Sequence, residues 1–367
     1  MLATTMFGGS NSSLESSRIA FHRLNPDVSL QSYIHNKRCQ LGAAVSSMQR
    51  IYLDQRFWIM FRDASVSHGE DKVIFDLLAL LKNLVSKGKV ICPISESVFI
   101  ELLKQSDKST RRATAQLIDE LSLGISLISF EERVRQEICN SFYGQAGIID
   151  LIPLQQLVWT KLANVLGETH PFNMPFSRDE ELVIQKAFSD LIWNTSLVDL
   201  QGYIDVPLQL NQEALATQLN AENNAHQSMI GSYPQAFRAE FEGGLSLFQY
   251  EMSALVKELI ERGLDFDVKL AHLNKKEFKV FSQSIPSLYI YAACHAAVRW
   301  NKTKNLCGND LFDFHHAAAA LGYCDVFLTE KPLAHMLSQR HLGLAKHKCE
   351  IFWSPASALN WLRENHS

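Results

Sequence analysis

The chain has 367 residues, of which 47% are hydrophobic and 20% are charged, and its formal net charge is −4. These values are typical of a globular protein with one large domain or two smaller ones, and no apolar run approaches the ~20 residues of a membrane-spanning helix. We therefore expect no membrane partner. The near-neutral balance excludes strong attraction of the whole molecule to nucleic acid but leaves a local basic patch open. The seven cysteines are scattered without a CxxC pair, which favours reduced thiols in a cytoplasmic protein.

Residues 1–47 differ in composition from the rest of the chain. They open with the small and polar run MLATTMFGGSNSSLESS, which predicts a flexible N-terminal extension. We favour a disordered tail or an upstream extension of a folded core that begins near Met48. An organelle transit peptide stays open as an alternative, because basic side chains outnumber acidic ones here. The basic residues are Arg18, Arg23, Lys37 and Arg38.

From Met48 onward, short β-rich runs alternate with helical periods. The runs RIYLDQ, VICPIS and ISLISF predict three strands. Between the first two runs, apolar residues at helical spacing predict a helix that Gly88 ends, and Ser95 can cap the next helix, ESVFIELLKQ. Helices and strands alternate again after Asp310. This alternation is typical of a parallel α/β sheet.

The middle of the chain, residues 145–304, shows no such alternation. The stretches LIPLQQLVWTKLANVL, DEELVIQKAFSDLIWNTSLV, LFQYEMSALVKELIERG and SLYIYAACHAAVRW predict helices with apolar stripes. The stretch YPQAFRAEFEGGLSL contains a proline and two adjacent glycines, and we predict a loop there. The predicted fold class is therefore α/β, with a core formed by residues 48–144 and 305–367 and an all-helical insertion between its two halves.

Acidic residues follow the strands of this predicted core. Asp54 closes IYLD, and Glu330 follows VFLT near the end of the chain. Glu101 lies in the helix after the second strand, and Asp313 lies in the first turn of an alanine-rich helix. In a parallel sheet the loops beyond the carboxyl ends of the strands converge, so we expect these four carboxylates to meet in one pocket. Asp325 starts its strand, roughly 16 Å from the Glu330 end at ~3.3 Å per residue, and is left out.

Each of these acids also has a structural explanation. Asp54 can simply terminate a strand, and Glu101 can face solvent because it lies off the centre of the apolar face of its helix. Asp313 can be an acid at a helix N-terminus, and Glu330 can cap the helix that begins at Pro332. Their shared position at one edge of the predicted sheet is what favours a joint role.

Four carboxylates without basic partners would repel one another and raise their pKa values. Mg²⁺ or Mn²⁺ would relieve this conflict, since these cations prefer oxygen ligands and suit phosphate chemistry. We therefore predict that the four acids hold such a cation, which would activate water for attack on a phosphodiester. The histidines match no zinc motif, and we expect them on the surface or between helices. They include His315, His316, His335, His341 and His347.

The order of these motifs resembles that of PIN-domain proteins. The similarity rests on YLD in the first strand, SESVFIELL after the second and, most specifically, NDLFDFHHAAAALGYCDVFLTEK near the end. It covers about residues 48–143 and 305–365 but not the helical middle. The resemblance implies a three-layer α/β/α sandwich and a metal-dependent ribonuclease or flap-type nuclease, of which we favour the ribonuclease. It also implies catalytic and metal-binding roles for the four acids, with Thr329 as a neighbouring hydroxyl.

Two departures from the PIN pattern leave a second hypothesis open. Many relatives carry Asp at one of the positions held here by Glu330 and Lys331, and the lysine can neutralise part of the acidic cluster. The long insertion is also unlike the compact PIN toxins. The alternative is a catalytically weak or inactive PIN-like module that binds RNA or a protein through its helical insertion.

Basic runs flank the predicted metal ligands at KQSDKSTRR and RWNKTK. Phosphate-binding cations are needed near a nuclease site, and Trp300 in the second run, beside Lys302, can stack on an unpaired base. Solvated basic faces and a Trp300 in the core are the simpler alternative. We expect single-stranded or structured RNA as the partner, while a protein inhibitor, as in toxin–antitoxin pairs, stays open. The predicted substrate-binding residues are Ser95, Lys104, Arg299, Thr329 and Lys331.

Overall fold

The computed structural model describes residues 12–66, 71–203, 211–264, 274–301 and 304–366. Across these ranges no helix is both long and apolar enough to cross a membrane. The strands are β1 (Gln49–Leu53), β2 (Val90–Ile91), β3 (Ile125–Leu127), β4 (Trp159–Lys161), β5 (Val326–Leu328) and β6 (Glu350–Phe352). The helices are α1 (Ser12–Arg23), α2 (Leu30–Val45), α3 (Gln55–Val66), α4 (Lys72–Ser86), α5 (Glu96–Lys104), α6 (Lys108–Ser122), α7 (Phe130–Gln145), α8 (Leu154–Leu157), α9 (Arg178–Trp193), α10 (Leu197–Tyr203), α11 (Gln212–Ala225), α12 (Tyr233–Ser246), α13 (Gln249–Glu261), α14 (Lys275–Gln283), α15 (Pro286–Trp300), α16 (Gly308–Tyr323), α17 (Lys331–Leu337) and α18 (Pro355–His366).

A four-stranded parallel sheet forms the centre of the molecule, with the strand order β2-β1-β5-β6. The predicted parallel α/β arrangement is thereby confirmed. Leu53 of β1 pairs with Leu328 of β5, so the two strands reach the same edge of the sheet together. Ile51, Tyr52 and Leu53 are all fully buried. Because successive strand residues point to opposite faces, both faces of β1 are covered.

Two sets of helices contact this sheet. Helices α4 and α18 pack against each other and against the outer strands β2 and β6, whereas α16 packs against β1, β5 and α5. The run Ala317–Ala320 of α16 is fully buried, and its small side chains let the helix approach the sheet closely. Helix α16 begins at Gly308, earlier than the sequence predicts, which places Asp313 in the second turn rather than the first.

Strand β3 departs from the prediction. It pairs antiparallel with β4 in a separate two-stranded sheet and contacts the segment after β2 through a bridge between Ile94 and Ser126. The predicted helix over LIPLQQLVWTKLANVL is therefore wrong at β4. Pairing buries Leu127 opposite Trp159, and both are fully buried. A strand of three residues is too short to show a periodicity of its own.

The described part of the N-terminal segment is folded, which corrects the prediction of a flexible extension over residues 1–47; residues 1–11 lie outside the described residues. Helix α2 packs against α8 and α9, and α1 packs against α9. Arg38 is buried and forms ion pairs with Glu132 and Glu168. A Cβ at Gly42 would lie 2.1 Å from the backbone oxygen of Gln156, so this close helix contact requires glycine.

Helix α12 lies where the sequence predicts a loop. Pro234 occupies its first turn, where the missing N–H has no intrahelical partner to lose. Gly244 lies inside the helix, and a Cβ there would lie 2.6 Å from Cδ1 of Leu288 in α15. Glycine therefore serves helix–helix contact here rather than a turn. Helix α15 contributes to the core around the sheet as well as to a second hydrophobic cluster with α7 and α12 to α14.

Candidate functional site

The four predicted acids lie around one cavity of about 460 Å³ at the carboxyl edge of β1 and β5. Asp54 directly follows β1, and Glu330 comes two residues after the end of β5. Glu101 is contributed by α5 and Asp313 by α16. We call this site the acidic cavity. The adjacency of the two parallel strands brings together residues that are far apart in sequence.

Asp54 is the most deeply buried of the four acids, with 3% of its surface exposed. Its backbone N–H donates to the carbonyl of Leu328 at 3.1 Å, which continues the β1–β5 pairing. Its carboxylate accepts from the N–H of Phe57 at 3.2 Å, at the start of α3. Burial raises the pKa of Asp54 to about 6, although the Thr329 hydroxyl and the charge of His316 act in the opposite direction.

Asp313 shows that the carboxylates act on one another. Burial raises its pKa to about 7, and the charges of Asp54, Glu101 and Glu330 add to this shift. Among the described residues, the carboxylates of Asp313 and Glu330 accept no hydrogen bond. Glu330 stands at the N-cap of α17 without capping it through its side chain, so helix capping does not explain its position.

His316 is a basic partner that the sequence analysis did not foresee. It is 1% exposed, and its Nε2 lies 2.9 Å from a carboxylate oxygen of Glu101. Its Nδ1 lies 2.8 Å from the hydroxyl of Tyr52, which in turn lies 2.6 Å from Oγ of Ser95. Burial alone would lower the pKa of His316, but the carboxylates of the cavity, Glu101 above all, outweigh burial and raise it.

Two expectations are corrected by His316. The acids do not converge without a basic partner, and this histidine does more than fill space between helices. Its position three residues after Asp313 puts both side chains on one face of α16, and this spacing is the signal in the sequence that could have identified it. His315, on another side of α16, packs instead against Phe130 and Tyr291.

The two predicted hydroxyl contacts lie beneath the cavity rather than on its surface. Ser95 and Thr329 are both fully buried. Ser95 does not cap α5 with its side chain and is bonded to Tyr52 instead. The Thr329 hydroxyl is near enough to lower the pKa of Asp54, yet it has no hydrogen-bond partner of normal geometry within the described chain.

The predicted basic contacts are engaged elsewhere. The Lys104 ammonium donates to Gln212 at 2.5 Å and lies over the ring of Phe312. Arg299 forms a 2.6 Å ion pair with Glu240. Lys331 lies over the ring of Trp353, 4.9 Å from its centroid, and within the described residues it forms no ion pair with the four acids. Lys302 lies outside the described residues.

Arg56 is a basic residue of the cavity that the sequence analysis passed over. It follows Asp54 by two residues, lines the acidic cavity and is exposed. Within the described ranges it pairs with no carboxylate. Asp325, which the sequence analysis excluded, is held by Arg50 through two side-chain hydrogen bonds of 2.9 and 2.7 Å, and it lies at the opposite end of β5.

The chemistry of the acidic cavity fits a hard divalent cation. The donors are carboxylates, two of which have raised pKa values, and the orphaned Thr329 hydroxyl lies next to them. As they stand, however, no three His, Cys, Asp or Glu side chains in the described ranges are grouped closely enough to hold a metal ion. The Glu101 carboxylate is bonded to His316 instead.

The described residues thus define an α/β protein with an acidic cavity at the carboxyl ends of two adjacent parallel strands. Comparisons of the chain with protein-family models, curated proteins and solved structures found no match. Its function has to be inferred from the chemistry of the cavity.

Proposed function

We propose that this chain is a PIN-like nuclease that hydrolyses phosphodiesters with Mg²⁺ or Mn²⁺ and cleaves RNA in preference to DNA. The observation that carries the proposal is the convergence of Asp54, Glu101, Asp313 and Glu330, from four separate elements, on one cavity. The PIN-like three-layer sandwich belongs to the same proposal. It is supported by the parallel sheet, by the coverage of both faces of β1 and by the motif order in the sequence.

The four acids would hold the cation, which when bound would polarise the phosphodiester and lower the pKa of the attacking water. Asp54 is buried and Asp313 is half-buried, and the low local dielectric there would strengthen their attraction to a bound cation. Glu330 is exposed and lies where substrate would enter. His316 holds the Glu101 carboxylate and fixes its orientation. Arg56 offers an unpaired guanidinium to a substrate phosphate.

The raised pKa values give the site a definite pH dependence. Asp54 and Asp313, with pKa values of about 6 and about 7, take up protons near neutral pH when no cation is present. A carboxylate must be deprotonated to bind a cation, so binding releases these protons. We therefore expect Mn²⁺ affinity and cleavage to increase from pH 6 to pH 8.

The proposal is tested with end-labelled single-stranded RNA and DNA of one sequence, incubated with Mn²⁺, Mg²⁺ or EDTA. We expect cleavage of RNA that requires the metal and is lost in Asp54→Asn and Asp313→Asn. Asp76→Asn is the matched control, since Asp76 pairs with Arg363 on the surface, and it should cleave like the parent. Cleavage that persists in EDTA, or that survives both cavity substitutions, would contradict the proposal.

A second function, a non-catalytic PIN-like module that binds RNA or protein, is favoured by one observation. The acids as described are not grouped for a metal, and Glu101 is already engaged by His316. The same experiment separates the two functions. RNA binding without cleavage, equal in the parent and in both asparagine variants, would establish the binding module and exclude the nuclease.

A further inference from the structure

A second cavity lies beside the acidic cavity. It has a volume of about 630 Å³ and is bordered by the end of α15 and by α17, with Trp300, Asn301, Pro332 and Gln339 among its walls. This volume is within the range of small-ligand sites, ~300–1,000 Å³. We call it the stacking cavity. It shares no lining residue with the acidic cavity.

The two cavities are neighbours along two segments of chain. Pro332 of the stacking cavity is two residues after Glu330 of the acidic cavity, so their Cα atoms are at most about 7 Å apart. Lys304 borders the stacking cavity, and its ammonium lies 3.2 Å from Asp310 in the first turn of α16. A group bound in the stacking cavity would therefore lie near Glu330 and near the first turn of α16.

Trp300 is arranged to receive a flat, unsaturated ring. It is 40% exposed although it belongs to a largely buried helix. Its ring contacts are with Tyr233 at 6.1 Å and His341 at 5.2 Å, at interplanar angles of 72° and 66°. Both neighbours thus hold the indole at an angle, and no ring of the described chain is stacked parallel to it. An exposed and immobilised indole is suited to stacking on a base.

The polar groups around Trp300 suit the edge of a nucleobase. Gln339 carries an amide that both donates and accepts hydrogen bonds, and it is exposed. Bases present donors and acceptors side by side, whereas a phosphate would call for cations. The wall also contains His335 and His341, of which His341 packs against Trp300. The one ammonium in the described wall, that of Lys304, is already paired with Asp310. The lining of the cavity therefore favours a base over a phosphate.

We propose that the stacking cavity holds the unpaired base of the nucleotide next to the scissile phosphate, with Trp300 stacked on it. This inference rests on the proposed nuclease function and specifies its substrate as single-stranded RNA, because a base paired in a duplex cannot enter a cavity beside the backbone. Trp300 acts as a specificity-determining residue, and the four acids keep their role at the phosphate.

The test combines a protein change with a matching change in the RNA. Binding is measured with Asp313→Asn as the background, so that the RNA stays intact, and the RNA carries an abasic ribose on either side of the bond that the parent cleaves. Trp300→Ala should weaken binding of unmodified RNA about 5- to 150-fold, the effect of losing one stacked base. Trp300→Phe should recover most of this loss. An abasic site on one side of the bond should weaken binding of the background protein by the same factor. Trp300→Ala combined with this abasic RNA should weaken binding no more than either change alone.

Tyr250→Ala is the control, since Tyr250 is an aromatic side chain that is 85% exposed and lies outside both cavities. It should bind both RNAs within about twofold of its background, given that exposed side chains away from a site contribute little. Unchanged binding in Trp300→Ala, or losses that simply multiply in the combined experiment, would overturn the inference and leave the nuclease proposal standing. If the parent does not cleave, the nuclease proposal fails, and scanning an abasic site along the RNA then decides stacking by the same criterion. If the Asp313→Asn protein does not bind RNA at all, the stacking inference is overturned.

Discussion

Two clusters of carboxylates lie close together in this molecule and are built in opposite ways. In the first, which we call the arginine network, the fully buried Arg133 donates to Glu96 at 3.2 and 3.3 Å and to the carbonyl of Ile128. Glu137, also fully buried, accepts from the backbone N–H of Ser287 and the hydroxyl of Tyr323. Every carboxylate oxygen in this network has a donor from the protein.

The carboxylates of the acidic cavity have fewer hydrogen-bond donors from the protein. Asp54 accepts one backbone N–H and Glu101 is bonded to His316, while Asp313 and Glu330 accept none within the described ranges. Buried polar groups are normally paired inside the protein. The carboxylates of the arginine network are thus paired within the fold, whereas those of Asp313 and Glu330 leave lone pairs open to solvent or to a bound group. This contrast is why we propose the acidic cavity, and not the arginine network, as the functional site.

The largest effect on stability is expected at the arginine network. Arg133→Met removes the cation and leaves two acids buried without it, which should lower the free energy of unfolding by about 3–5 kcal/mol. Denaturant unfolding measures this change. Arg135→Met is the control on the same helix. Arg135 forms exposed ion pairs with Glu131 and Glu251 and lies over the ring of Phe248, so the variant should stay within about 1 kcal/mol of the parent. Equal losses in both variants would remove the contrast between the clusters.

The acidic cavity should respond in the opposite direction. Asp313→Asn relieves repulsion among the carboxylates, so the melting temperature of the metal-free protein should be maintained or rise. Saturating Mn²⁺ should stabilise the parent by about 2–3 kcal/mol at a concentration of about 100 Kd, and this gain should shrink in the variant. Thermal unfolding with Mn²⁺ and with EDTA measures both effects. An equal Mn²⁺ shift in parent and variant would exclude Asp313 as a ligand.

The hydroxyl of Tyr52 links the cavity to the sheet. Tyr52→Phe deprives Ser95 and His316 of a hydrogen-bond partner and should cost about 1–3 kcal/mol of stability. It should also reduce cleavage, because Glu101 loses the support that reaches it through His316. Tyr250→Phe, on a side chain that is 85% exposed, should leave both quantities unchanged. Cleavage that is unaffected in Tyr52→Phe would show that the linkage is structural only.

A further effect is expected on the pH dependence of stability. Burial raises the pKa of Asp313 from 3.8 to about 7, so between these values the folded state binds more protons than the unfolded state. The stability of the metal-free protein should therefore fall as pH rises from about 4 to about 7. Glu137, whose burial raises its pKa to about 7, contributes in the same direction. Unfolding measured at several pH values should show a free energy of unfolding that changes less with pH in Asp313→Asn than in the parent. An identical pH dependence in both proteins would contradict the raised pKa of Asp313.

Strand ends and their acids were predictable from the sequence because both follow from local chemistry. A β-rich run that ends in Asp54, and another that ends before Glu330, indicate the edge of a parallel sheet without knowledge of the remaining fold. The pairing of His316 with Glu101 was not predictable in this way, since it depends on how α16 crosses α5. The position of the histidine three residues after Asp313 was the available hint.

The other differences have the same origin in long-range packing. A proline and two glycines indicate a loop by local rules, yet Gly244 permits α12 to pack closely on Leu288. Strand β4 exists because Trp159 finds Leu127 across the pairing. In both contacts the two partners are far apart in the sequence, so no local pattern predicts that they meet.

The docking of α2 has a practical consequence for dividing the chain. Cutting before Met48 would discard Arg38 and leave Glu132 and Glu168 facing each other without their shared counter-ion. It would also uncover the hydrophobic surface that Ile34 and Val45 occupy. A shortened protein that precipitates would then report a damaged interface, and its inactivity would say nothing about the four acids.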